Sequence, residues 1–373
     1  MFNHVGHKLT APNKLIMKKL ISLFLCLAFA GSTFAQMSGY STSSYSDGTT
    51  LGANETLTAD GIALGNAVKL RGYVDFIFGY DDEDGADQNE QFDTTADVDF
   101  LFDLSPITAE LHLSAESNSA GEDIGLEQAF GRYSVNQDFH ITFGRQLTVL
   151  GFEADEAPGL YAVTTAHVLG SGDSDISVLP AQTRRNYVDG VRLNYNNGMF
   201  GLTLGLHDGY WLQDHFDGDD LAIDLAASVM FFPGLEARLG YAHESLDEDS
   251  TGANDGDIGQ FNAWLAYNPG ALTLATEFDN YDIDLGTATD TEYWSWMLLA
   301  NYQFTDWFAA TIRYTHEDVE QGNVDHDSDR FTFATLFTLT ENFGLNVEYS
   351  TTSVDSTAQG DYDEFLVEGL ITY

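Results

Sequence analysis

The sequence predicts an all-β fold: a transmembrane antiparallel up-and-down β-barrel of about 16 strands, with a long third loop folded into the lumen. Three observations predict it. Segments of strict apolar–polar alternation recur from Lys69 to Tyr373. The connections between them alternate between very short turns and longer loops, several of them acidic, as in outer-membrane barrels. After Gln36 no apolar run is long enough for a membrane helix, so any crossing must be made by a closed barrel, which satisfies its own backbone hydrogen bonds in lipid.

The N-terminal residues read as a leader. Residues 1–16 form an upstream extension. From Met17 the segment MKKLISLFLCLAFAGSTFA has a basic start, a short apolar run and a small-residue site ending at Ala35. That is a secretory signal peptide cut after Ala35. Cys26 lies inside it and is the only cysteine, so the mature chain has no thiol and no disulfide. Four of the 14 bases precede residue 36 and none of the 59 acids does, so the mature net charge is 10 − 59 = −49. Such a balance argues against nucleic acid as a partner, since phosphate binding needs a basic surface. It suits binding or passing cations. Residues 36–68, rich in Ser, Thr, Gly and Asn, are expected to form a flexible lead-in. The barrel is expected to occupy residues 69–373.

The predicted strands run approximately over 69–80, 93–104, 107–117, 124–135, 139–148, 186–195, 199–209, 220–231, 235–245, 258–267, 271–282, 292–303, 307–317, 328–339, 343–353 and 362–373. In WFAATIRYT, Phe308, Ala310, Ile312 and Tyr314 share one face and Thr311, Arg313 and Thr315 the other. Five of the short turns, NNG, FPG, NPG, FTD and TEN, begin at residues 196, 232, 268, 304 and 340, a spacing of 36 residues per hairpin pair. Pro106, Pro233 and Pro269 fall in short turns and Pro158 and Pro180 in the longest loop, so none interrupts a paired strand. Aromatic residues in the apolar phase mark two levels. Tyr195, Phe231, Tyr267, Tyr302 and Tyr373 lie at the short-turn end, and Tyr241, Phe278, Trp294 and Tyr349 toward the long loops. From Trp294 to Tyr302 is about 26 Å along a strand, or roughly 19 Å vertically at a tilt of about 45°. Two aromatic girdles bounding an apolar band are the signature of a membrane-facing surface; a soluble β-sandwich would need neither.

With the apolar phase toward lipid, the other phase lines the lumen. Arg71, Arg132, Arg145, Arg192, Arg238 and Arg313 are assigned to it, with Asp75, Asp97, Asp99, Glu110, Asp224, Glu277, Asp279, Glu348 and Glu368. A charge facing lipid near the midplane costs about 2–4 kcal/mol, which explains the sorting. At this strand number the lumen is wide enough for water. The longest loop, residues 149–185, mixes apolar and small residues and so is expected to pack inside the barrel.

The segments EQAFGRYSV (127–135), ITFGRQLTVLGFEADEAPG (141–159) and YVDGVRLNY (187–195) resemble the β-barrel porin-2 family of Gram-negative outer-membrane porins. The resemblance covers most of residues 69–373. It implies passive diffusion of small hydrophilic solutes and ions, a homotrimer, and a third loop whose acids face wall arginines. The matching positions are Glu153, Asp155 and Glu156 on the loop and Arg132, Arg145 and Arg192 on the wall. The closing EGLITY resembles the aromatic-terminated strand read by the barrel-assembly machinery, which places Tyr373 as its signal. Outer-membrane lipid and lipopolysaccharide are the remaining expected partners. The acidic excess predicts cation preference. A non-conducting structural or adhesive barrel, or a barrel hydrolase, are the alternative functions.

Two adjacent cations stand out in so acidic a chain. Arg184 and Arg185 close the longest loop. By alternation Arg184 shares the lumen phase of Arg192 and Arg185 points the other way. Either both hold the loop to its own acids, or Arg184 joins Arg145 and Arg192 in a positive strip at the constriction. No cofactor or catalytic residue is expected: GSGDSD (170–175) carries Ser174 without a nucleophile elbow, and the ten histidines form no zinc-protease motif. Asp325, Asp327 and Asp329, at every second residue of DHDSD, are weak metal candidates, expected in an outer loop.

Overall fold

The computed structural model describes residues 51–85, 88–118, 121–154, 156–167, 187–212, 222–246, 255–287, 289–322, 324–355 and 360–373. The leader and its cleavage site lie outside them. The strands are β1 (Ile62–Ala63), β2 (Val68–Glu83), β3 (Asn89–Asp103), β4 (Ile107–Asn118), β5 (Gly121–Ser134), β6 (Phe139–Leu147), β7 (Tyr187–Asn196), β8 (Phe200–His207), β9 (Ala222–Phe232), β10 (Leu235–Leu246), β11 (Gly256–Tyr267), β12 (Leu272–Asp284), β13 (Thr291–Thr305), β14 (Phe308–Gln321), β15 (Val324–Thr340), β16 (Phe343–Asp355) and β17 (Tyr362–Thr372). From β2 onward each strand pairs antiparallel with its chain neighbour. β17 pairs back onto β2, with Tyr362 opposite Glu83 and Thr372 opposite Tyr73, which closes a barrel of 16 long strands.

Alternation sorts the side chains as the sequence requires. On β8, Leu202, Leu204 and Leu206 are exposed while Thr203 and His207 are buried. On β14, Ile312 is exposed while Thr311, Arg313 and Thr315 are buried. The exposed face is therefore apolar and the buried face polar, the inverse of a soluble fold and the arrangement of a barrel whose solvent outside is lipid. At the short-turn rim Phe304, Phe308 and Phe337 stack in series, with centroids 5.3 and 5.2 Å apart. Toward the long loops Trp294 sits 4.9 Å from His316 and 6.4 Å from Phe278. Turn geometry follows composition: Gly198, Gly234 and Gly270 hold φ of 83°, 91° and 119°, the left-handed region that a side chain disfavours. They recur at the 36-residue spacing of the short turns.

Three expectations change. Residues 51–67, placed in the flexible lead-in, include a 3-10 turn over Glu55–Leu57 and the short strand β1, which pairs with β2. Their polar side chains reach wall residues near the short turns: Arg132 Nη1 donates to Asn54 Oδ1 and to Thr56 Oγ1, both at 2.6 Å, and Thr56 donates to Glu110. Second, β15 begins at Val324, so Asp325, Asp327 and Asp329 lie on one face of a strand, not in a loop. Strand pairing with β14 extends the ladder past the aromatic rim. Third, Arg145 does not belong to the lumen phase. It has the parity of Ile141 and Phe143, stands opposite Asp189, and bridges it at 3.1 Å with side-chain exposures of 35% and 51%. Parity overrides the general sorting of charges here because the pair neutralises itself and the Arg145 guanidinium lies over the Tyr187 ring, 6.0 Å from its centroid.

Candidate pore constriction

The inward face carries a belt of buried charge. On one side it is a continuous network. Arg71 Nε donates to Asp99 Oδ2 at 2.7 Å, Asp99 Oδ1 lies 3.0 Å from His112 Nδ1, and His112 Nε2 lies 3.0 Å from Glu110 Oε2. Glu110 Oε1 then meets Arg132 Nη1 at 3.5 Å. The residues come from β2, β3, β4 and β5, and they meet because antiparallel register sets Arg71 opposite Asp99 and Asp99 opposite His112. A second group lies on β7 to β9. Arg192 donates through Nη2 to Asp224 Oδ2 at 2.8 Å and through Nη1 to the Leu147 carbonyl at 2.6 Å, and His207 Nε2 is 3.3 Å from Asp224 Oδ1. Alternate charges in such chains hold each other in place, and removing one member leaves a buried charge uncompensated.

The described part of the long connection, residues 148–167, is bonded to strands distant in sequence. Phe152 N–H donates to Glu277 Oε1 at 2.7 Å and Gly151 N–H to Asn262 Oδ1 at 3.3 Å. Val163 and Thr164 N–H donate to Glu348 Oε2 at 2.7 and 3.0 Å. Arg313 Nη1 donates to Glu153 Oε1 at 2.7 Å and to the Thr164 carbonyl at 2.8 Å, while Nη2 donates to the Thr165 carbonyl at 2.8 Å. Glu153 also accepts from Ala166 N–H at 2.7 Å, which closes the segment on itself. Apolar contacts accompany these bonds: Ala166 is buried with Ala275, Met297 and Leu299, with Phe152 and Tyr161 against them. Glu156, just before a 3-10 turn over Ala157–Gly159, approaches His112 Nδ1 at 3.9 Å. Burial pushes the Glu156 carboxyl up, a hydrogen bond to His112 opposes the shift, and the neighbouring Asp99 carboxylate adds to it.

The expected constriction residues are thus distributed differently from the resemblance. Glu153 is matched to Arg313, and Glu156 stands by His112. Arg132 is occupied by Glu110, Asn54 and Thr56, Arg192 by Asp224, and Arg145 lies on the other face with Asp189. Asp155, Arg184 and Arg185 lie outside the described residues. Of the metal candidates, Asp327 and Asp329 come together with His316, whereas Asp325 is not in that group. The residues that bind the loop and were not singled out for it are Arg313, Glu348, Glu277 and Asn262, together with Arg330, which bridges Glu364 at 2.7 Å and Glu348 at 3.5 Å. Their parity marked the first three as inward, but parity does not say which loop atom each one meets.

No protein-family profile matches this sequence, and no curated protein matches it. Solved structures do. A trimer form of OmpT, an outer membrane protein of Vibrio cholerae, is similar at TM-score 0.56 and 13% identity, over 83% of this chain and 100% of that one. The anion-selective porin from Comamonas acidovorans is similar at TM-score 0.60 and 16% identity, over 82% and 99%. The outer membrane channel DcaP of Acinetobacter baumannii is similar at TM-score 0.61 and 13% identity, over 83% and 99%. At these identities the likeness establishes the barrel fold.

Proposed function

We propose that this chain is an outer-membrane porin: a passive, water-filled path for small hydrophilic solutes and ions, with cation preference and no catalytic step. The observation that carries the proposal is the combination of a closed barrel, an exposed apolar outer face, and an inner belt of charge cross-braced to the 148–167 segment. In this reading the loop narrows the lumen, and pore width and fixed charge set what passes. The outer-membrane porins among similar structures support it. The trimer form recorded for OmpT, together with the resemblance to the β-barrel porin-2 family, supports a homotrimer. Export follows cleavage after Ala35, the rims meet lipid and lipopolysaccharide, and the strand ending before Tyr373 is the one presented to the barrel-assembly machinery. Cation preference follows from the acidic excess, 59 acids against 14 bases over the whole chain. Arg184→Glu then shifts selectivity further toward cations if Arg184 lines the constriction, and leaves it unmoved if the pair braces the loop.

The test is electrical and osmotic. Folded protein in a planar bilayer should give discrete conductance steps and a cation-signed reversal potential in a KCl gradient, and liposomes carrying it should swell in small sugars. An anion-signed potential would overturn the selectivity. Absence of both conductance and swelling would make the barrel structural or adhesive.

A further inference from the structure

Past the aromatic level, the outward face of β14 and β15 holds a metal-ligating set that neither the lumen nor the loop uses. Tyr314 and Phe331 stand opposite each other and are the outermost apolar side chains of that face on the two strands. Beyond them the register sets His316 opposite Asp329, Asp318 opposite Asp327 and Glu320 opposite Asp325. Asp355 of β16 stands on the other side of Asp327. No arginine or lysine shares the outward face of either strand. Three of these side chains converge. His316 Nδ1 is 3.0 Å from Asp329 Oδ1, and one donor atom each from His316, Asp327 and Asp329 falls within 4.8 Å of the others. Two aromatic residues position the set from outside it. The Tyr314 hydroxyl donates to Asp329 Oδ1, and the Trp294 ring packs on the His316 imidazole with centroids 4.9 Å apart. His316 and Asp329 keep access to solvent, with side-chain exposures of 22% and 48%.

We propose that His316, Asp327 and Asp329 form a binding site for a divalent transition-metal ion that clasps β14 to β15 above the lipid. Three arguments carry it. The donor set is one imidazole and two carboxylates, drawn from two strands, which suits zinc or manganese; calcium and magnesium prefer oxygen alone. Next, like charges directly opposite each other across a ladder are destabilising, and here Asp327 faces a carboxylate on both neighbouring strands. A divalent ion held at Asp327 offsets that repulsion. Finally, the Tyr314 hydroxyl acts on Asp329 as outer-shell groups act in metal sites, fixing the orientation of a ligand through one of its oxygens. Ligand bonds of about 2.0–2.2 Å separate tetrahedral donors by roughly 3.3–3.6 Å, so the set closes on an ion by side-chain rotations of about 1 Å. Solvent completes the coordination. The place of the site above lipid rests on the outer-membrane reading, whereas metal uptake in detergent does not, so a failure of either is read separately.

The test is therefore metal uptake, with conductance playing no part. Full-chain protein folded in detergent is stripped with chelator, dialysed, and titrated with zinc and with manganese by calorimetry. Folding is checked by heat-modifiable gel mobility. The expected result is saturable uptake whose affinity falls roughly tenfold or more in His316→Ala and in Asp327→Asn, and is unchanged in Asp325→Asn, one step further out on the same face. The buried trio His167, Glu277 and Asp279 is intact in all three variants, so the loss reports the outer site. X-ray absorption on the zinc-loaded wild type needs no variant: a shell with one nitrogen among oxygens supports the site. No uptake by the folded wild type, unchanged affinity in His316→Ala, an equal loss in all three variants, as a diffuse acidic surface would give, or an all-oxygen shell would overturn it.

Discussion

Arg313 and Glu153 are 160 residues apart in sequence and 2.7 Å apart in space, and neither side chain has measurable exposure. Arg313 is part of the wall on β14; Glu153 is part of the loop that leaves β6. The same guanidinium takes two loop carbonyls, so one wall residue fixes both the charge and the backbone of the segment. A planar fork with five donors is suited to this, and a lysine is not.

Arg313→Met leaves Glu153 buried without its cation, a cost of about 3–5 kcal/mol if the loop stays docked. The loop should therefore undock. Single-channel recordings should show larger and noisier open levels than wild type, and Glu153→Gln in the same chain should quieten them. Identical traces for wild type and Arg313→Met would mean that the pair does not hold the loop.

The N-terminal residues supply a second brace. Deleting residues 51–59 removes Asn54 and Thr56 from Arg132, leaving that guanidinium to Glu110. Conductance should rise while the barrel still folds, because all 16 long strands lie downstream. Gel mobility with and without heating checks the folding, and bilayer recording checks the conductance.

Glu156 offers a pH readout. Its carboxyl is raised chiefly by burial, so the docked loop holds that proton more tightly than an undocked loop would. Docking is therefore favoured below the shifted pKa and weakens as pH rises through it. The proposed cation preference should then begin to fall, as pH is lowered, at a higher pH than an ordinary glutamate would give. Reversal potentials measured across the acidic range should show this early step in wild type and lose it in Glu156→Gln.

The lipid-facing assignment is checked on β8. Leu204 is 48% exposed on the outer face and Thr203, its neighbour, is fully buried. Leu204→Arg should cost about 2–4 kcal/mol near the midplane in refolding into lipid. Leu204→Phe, still apolar, should refold as wild type does. Equal refolding of the arginine variant would refute a lipid-exposed position.

Much of the barrel was legible in advance because its code is local. A period of two residues, a short turn every 36 residues and aromatic rims appear in the sequence, and the strand boundaries read from them fall within a few residues of those observed. Arg145 shows the limit of reading charge by type: its parity with Phe143 puts it on the outer face, against the general tendency of charged side chains to line the lumen. The ordered segment 51–67 was missed because small polar residues look the same whether solvated or hydrogen-bonded to a wall.

By itself the sequence determined the strands, which face of each meets lipid, and the asymmetry of the two ends, since all three depend on neighbours a few residues apart. Only the tertiary structure decided that Glu153 meets Arg313, that Val163 and Thr164 meet Glu348, and that His167 meets Glu277 and Asp279. Those pairings depend on which distant strands the loop's polar groups meet, and each joins residues more than a hundred positions apart, beyond the reach of any local pattern.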